Sequence, residues 1–191
     1  MRYNLLFLCL VACTSGATQM TGFGARYYDD ITETYSDNHM TDKDLTPIIV
    51  VGSARYKFEV STVESIAKNV GIKVHKDKLA SWICLKSKDV NYWFISDNEM
   101  GNGDLTAISL AKDGTACTAY KGKLQLSINS PMLNASKEEI GTFFNNKPEK
   151  DIVMYYKDIN KSDEYTQSNS IMYYLKNGKV QGVSISQGTT D

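Results

Sequence analysis

Leu105-Thr106-Ala107-Ile108-Ser109-Leu110 and Val180-Gln181-Gly182-Val183-Ser184-Ile185 match in kind position by position, and they lie 75 residues apart. Each reads as a strand. The same offset separates two helix starts, Ser61-Thr62-Val63-Glu64 and Ser136-Lys137-Glu138-Glu139. Both carry the capping-box pattern, in which a serine hydroxyl accepts from the N3 amide and the N3 glutamate reaches back to the cap. A recurring order at a fixed period changes the expected fold, because each copy is then one structural unit. The expectation is an α+β chain of two tandem helix-on-antiparallel-sheet units, spanning residues 46–120 and 121–191.

The flanking segments fit that order. Val63, Ile66, Ala67 and Val70 recur at helical spacing until Gly71, and Ile140 and Phe143-Phe144 follow the second start. Before the first helix, Ile48–Val51 and Tyr56–Val60 read as strand, turn and strand. After it come Trp82–Lys86 and Asn91–Ile95, and after the second helix Ile152–Tyr156 and Ile171–Leu175. Asn177-Gly178 is a hairpin turn signal. Between these anchors the register drifts, since the loop before Leu105 is five residues longer than the one before Val180.

The N-terminus reads as an export signal. Met1-Arg2-Tyr3-Asn4 carries one positive side chain, and Leu5 to Ala12 is apolar apart from Cys9. As a helix this run spans roughly 12 Å, well short of the roughly 30 Å of a bilayer core, so residues 1–12 fit a signal peptide rather than a membrane anchor. Leu10-Val11-Ala12-Cys13 resembles the lipobox of bacterial lipoproteins, whose cysteine takes a diacylglycerol. Cys13 is therefore the expected lipid attachment site, with an ordinary secretory signal and an incidental cysteine as the alternative. Thr14 stands where an inner-membrane retention signal would place aspartate, so that resemblance implies a bacterial envelope location, lipid-anchored at the outer membrane and facing the periplasm. Residues 13–45, rich in Thr, Gly, Asp, Ser and Asn, read as a flexible tether with a reach of about 30 Å.

Of four cysteines, Cys9 leaves with the signal and Cys13 is consumed by lipid. Cys84 and Cys117 remain as an even pair in an oxidising compartment, where a disulfide is expected. A metal or redox pair is the alternative, against which stand the lack of CxxC spacing and a complement of two histidines, His39 and His75.

A helix on an antiparallel sheet, given twice with a period near 75 behind an export signal, resembles the β-lactamase inhibitor protein family over about Pro47 to Gln187. The half-unit looks like the small outer-membrane lipoprotein domain of the barrel assembly machinery. The chain differs from the inhibitor family in having one candidate disulfide instead of one per repeat, and in its lipid tether. The resemblance implies a sheet with helices on one face and the other face free to hold a partner. Alternation then assigns Ile95, Ile171 and Leu175 to the helix side and Tyr92, Phe94, Met172 and Tyr174 to the free, protein-binding side. The same residues also fit a core role, and a register slip of one residue inverts the assignment.

Other chemistry finds little footing. Lysine and arginine total 21 against 22 carboxylates, interspersed, so there is no basic stripe for nucleic acid. Neither histidine neighbours a nucleophile turn. The carboxylate pairs Asp29-Asp30, Asp42/Asp44 and Glu138-Glu139 fall in the tether or a first helical turn. The run Asp97 to Asp104 lacks the ligand spacing of a calcium loop, and there is no phosphate-binding glycine loop. No catalysis, cofactor or metal is expected, although a small hydrolase stands as a third class. The expected function is an envelope lipoprotein acting as a protein-binding module that inhibits or neutralises a periplasmic enzyme or toxin. The alternative is a structural lipoprotein assisting outer-membrane assembly or integrity.

Overall fold

Both helix starts form helices, each of about two turns. The structure is a computed structural model and describes residues 36–78, 80–98, 101–112 and 117–190. Helix α1 is Val63–Val70 and α2 is Lys137–Phe144. At α2 the capping box is complete: Ser136 Oγ accepts from Glu139 N at 3.1 Å, and Glu139 Oε2 accepts from Ser136 N at 2.6 Å. At α1 the cap falls one residue later than expected. Thr62 Oγ1 accepts from Ser65 N at 3.1 Å, while Ser61 Oγ accepts from Lys57 N at 3.0 Å within the preceding turn.

Twelve strands are described: β1 (Ser36–Met40), β2 (Ile48–Val51), β3 (Ala54–Tyr56), β4 (His75–Lys76), β5 (Ala80–Ser87), β6 (Val90–Asp97), β7 (Ala107–Ala111), β8 (Thr118–Ala119), β9 (Leu124–Ser127), β10 (Ile152–Lys161), β11 (Thr166–Lys176) and β12 (Lys179–Thr190). Nine of them form one sheet in the order β1-β10-β11-β12-β7-β6-β5-β4, with β8 also on β5. The remaining three form a small sheet, β3-β2-β9. The β11–β12 hairpin turns at Asn177 and Gly178, both in the left-handed region at φ 54° and 70°, as a two-residue hairpin turn requires.

The expectation of an α+β fold made of two tandem helix-on-sheet units does not hold. Of the described residues 52% are strand and 11% helix, so the described part of the protein is mostly β. The reason lies in how the strands pair. β7 and β12 join antiparallel, with Ser109 opposite Ser184, which merges the strands of both halves into one continuous sheet. That sheet is mixed, since β1 runs parallel to β10 and β8 parallel to β5. Residues 36–45, read from sequence as tether, belong to the fold: β1 pairs along β10, and Leu45 is fully buried. The signal peptide, Cys13 and tether residues 13–35 lie outside the described residues.

The core sits between the helices and one face of the large sheet. Across β6, β7, β12, β11 and β10 the register aligns Phe94, Ile108, Ile185, Ile171 and Tyr155, all buried on this inner face. Val63, Ile66 and Ala67 of α1, Ile140 and Phe144 of α2, and Ile49, Val51 and Tyr56 of the small sheet close over them. Phe144 stacks on Tyr155 with centroids 3.7 Å apart and planes 6° from parallel. Two buried phenols satisfy their hydroxyls on backbone: Tyr155 donates to Asn146 O and Tyr173 to Pro131 O, each at 3.0 Å.

Candidate protein-binding face

The outer face of the large sheet, turned away from the helices, is built in rows by the same register. Ile95, Ala107, Ser186, Ser170 and Tyr156 form one row from β6 to β10, and Trp93, Ser109, Ser184, Met172 and Met154 the next. A third runs Asn91, Ala111, Gly182, Tyr174 and Ile152. In every row the two central strands, β7 and β12, contribute small side chains, and larger ones stand on both flanks. The result is a trough along the middle of the sheet.

The two flanks differ. On the β5–β6 side, Trp82, Trp93 and Ile95 are buried and form a second, smaller cluster with Ala80, Ala111 and Tyr174. The Cys84–Cys117 disulfide packs against this cluster and ties β5 to the segment entering β8. On the β10–β11 side, Met154, Tyr156 and Met172 are half-buried, and Met40 on the edge strand is 66% exposed.

Five serine hydroxyls of the trough are already hydrogen-bonded within it. Ser109 and Ser184 hydroxyls lie 2.9 Å apart, Ser170 and Ser186 hydroxyls 2.7 Å apart, and Ser168 donates to Asp158 at 2.6 Å. A hydroxyl that already has a partner loses little when a second surface excludes water from it, so this face can be covered at low desolvation cost. At one end the trough deepens into a groove of about 390 Å³, whose lining includes Met154, Tyr156, Ser170, Gly188, Glu59 and Asp97.

Glu59 reaches this groove from the turn before α1. Its backbone is left-handed at φ 54°, held by Glu59 N donating to Leu105 O at 2.9 Å. Its carboxylate accepts from Gln167 Nε2 at 2.6 Å and from Thr189 Oγ1 at 2.9 Å. A second cleft of about 440 Å³ shares Glu59 and Gln187 and opens on the other side of the β11–β12 ends. There Asn169, 1% exposed, accepts from Gln187 Nε2 at 2.7 Å and donates to Thr46 Oγ1 at 3.3 Å.

The four residues assigned from sequence to the binding side do not share one face. Met172 and Tyr174 point outward, with the Tyr174 hydroxyl donating to Met172 Sδ, although Tyr174 is 8% exposed and belongs to the smaller cluster. Phe94 is 1% exposed in the main core, and Tyr92 packs against that core. Burial, and then the nearby Asp89 charge, raises the Tyr92 phenol above its ordinary pKa. For β6 the assignment is inverted, and the cause is that both of its faces are covered. Ile95 and Trp93 fill one cluster while Phe94 and Tyr92 meet the other, so the balance of aliphatic and aromatic residues carries no side information.

Sequence reasoning missed Met154, Tyr156 and Glu59. The trough itself had a signal: Ala107, Ser109 and Ala111, and Gly182, Ser184, Ser186 and Gly188, are small residues at period two on two strands. Among the described residues no group of three His, Cys, Asp or Glu is placed to hold a metal ion, and no helix is long and apolar enough to cross a membrane. No protein-family model, no curated protein and no solved structure matches the chain.

Proposed function

We propose that the chain is an envelope lipoprotein, anchored through Cys13, which binds another envelope or periplasmic protein on the outer face of its large sheet and thereby inhibits or neutralises it. The observation that carries this reading is the β10–β11 flank of that face. Met154, Tyr156 and Met172 stand half-buried beside a groove, next to hydroxyls whose hydrogen bonds are already made. Methionine adapts to an opposing surface, and tyrosine contributes large contact area at low entropy cost. A lipid anchor supports the reading further, because confining a binder to the envelope raises its effective concentration there.

The test compares the full-length chain with a Met154→Ala, Met172→Ala double variant, each crosslinked in the native envelope and purified. One stoichiometric protein should accompany the wild type, and its purified form should bind the variant at least about tenfold more weakly, the scale on which truncating interface side chains acts. Equal binding to both chains would remove this face from the function. Barrel-assembly components recovered equally with both chains would replace inhibition with a structural role. In the same cells Cys13→Ser should abolish incorporation of labelled fatty acid, and labelling that persists would overturn the anchor.

A further inference from the structure

We infer that the groove at the β12 end of the trough receives an extended peptide segment of the partner and seats a lysine or arginine of that segment against Glu59. The inference rests on the protein-binding reading and names the chemistry of its partner.

Size comes first. A groove of about 390 Å³ holds one long side chain and the backbone around it, not a folded element. Charge comes next. The lining includes Glu59, and among the described residues it includes no lysine or arginine. Both hydrogen bonds to Glu59 land on Oε2, and both donors, the Gln167 amide and the Thr189 hydroxyl, are neutral. Among the described residues Glu59 has no ion-pair partner, and Lys57, two residues away, lines the neighbouring cleft instead. The carboxylate is half-buried, fixed by its left-handed backbone and two donors, and its Oε1 accepts no bond among the described residues. A cation placed there meets a preformed acceptor.

The backbone points the same way. β7 accompanies β12 only as far as Ala107 opposite Ser186, and Gln187 N donating to Thr106 O at 2.9 Å is the last bond on that side. From Gly188 to Thr190, β12 pairs with β11 on one edge while Gly188 and Thr190 line the groove. An extended segment laid there continues the line of β7 and meets a strand edge that no described residue pairs with, which is how sheets capture peptides. Above Gly188 the space is open, with nothing within 4 Å of where a Cβ would stand.

The experiment uses the full-length chain and a fluorescent peptide, Thr-Val-Lys-Val-Thr, with anisotropy as readout. Controls replace the lysine with norleucine or glutamate. The lysine peptide should bind saturably, more weakly as salt rises, and at least about tenfold more tightly than either control. Glu59→Gln should remove that preference. Because Glu59 also braces its own turn, Gly188→Val serves as a second variant that fills the groove without touching the carboxylate, and it should abolish binding of all three peptides. Equal affinity for the lysine and norleucine peptides, or a lysine preference that survives Glu59→Gln in a chain with unchanged melting temperature, overturns the inference. Partner capture lost in the methionine double variant while the lysine preference is absent would leave the protein-binding reading standing and this inference overturned. Lysine preference without any effect of the methionine variant on capture would do the reverse.

Discussion

Tyr155 and Tyr173 show how single residues tie this core to pH. Each ring lies in the main core and each hydroxyl donates to a backbone carbonyl, so ionising either phenol puts a charge among apolar side chains. Burial raises both above the ordinary 10, Tyr155 to about 12, and the Asp37 charge adds to the effect at Tyr155. The folded state holds these protons more tightly than the unfolded chain does. The stability they contribute is complete below pH 10 and is lost as pH climbs through 10 toward the folded values. In an alkaline titration followed at 295 nm, these phenols should ionise last and together with loss of near-UV circular dichroism. Ionisation of every phenol near pH 10 with that signal intact would contradict the burial argument. A second prediction at this scale concerns the caps. Thr62→Ala and Ser136→Ala should each cost about 1 kcal/mol in urea denaturation, and Ser61→Ala clearly less, because Ser61 caps no helix. Equal losses for Ser61 and Thr62 would return the cap to Ser61. The Ser136 box was fully legible because both partners sit in sequence at the required spacing. At Ser61-Thr62 two adjacent hydroxyls satisfied the pattern, and only the backbone chose between them.

Among the elements, β5 depends on a covalent tie that its strand partners do not replace. It pairs with β6 along its length, but on the other edge it has only the two-residue strands β4 and β8. The Cys84–Cys117 bond, closing 33 residues, holds the chain entering β8 against that edge. In the chain-entropy treatment a loop of this length is worth about 3–4 kcal/mol, a substantial part of a domain's stability. Reduction, or Cys84→Ser with Cys117→Ser, should lower the stability measured in urea by that amount and release protection of β4 and β8 amides first. A loss under about 1 kcal/mol would show that the small cluster of Trp82, Trp93 and Ile95 holds this edge by itself. This pair was legible from compartment and parity alone. The orientation of β6 was not, since a strand covered on both faces alternates between two apolar sets. β11 was easier, because Ile171, Tyr173 and Leu175 meet the core while Ser168 and Ser170 on the opposite side report partial exposure.

At the scale of the molecule, the strongest sequence signal and the actual fold part company. The offset of 75 residues places Ser109 and Ser184 at equivalent positions, and the structure sets those two residues face to face with their hydroxyls 2.9 Å apart. A local pattern of caps and strands reveals which segments are alike, but pairing between strands 75 residues apart leaves no periodic trace. Whether two similar segments form separate sheets or share one was therefore invisible, and sharing decides the fold class. It also decides how the protein unfolds. Separate units would each have their own transition, whereas one sheet with β12 bonded to both β11 and β7 forces the halves to come apart together. The chain's two tryptophans, Trp82 on β5 and Trp93 on β6, make intrinsic fluorescence a report on the first half and on the contact it makes with Tyr174. A fluorinated tyrosine signal from Tyr155 and Tyr173 reports the second. In urea the two transitions should share one midpoint and one slope. Ser184→Pro, which removes a donor and adds a clash in the middle of β12, should shift both curves together by several kcal/mol. Two midpoints in the wild type, or a proline effect confined to the tyrosine signal, would mean that the β7–β12 seam joins two units that fold independently.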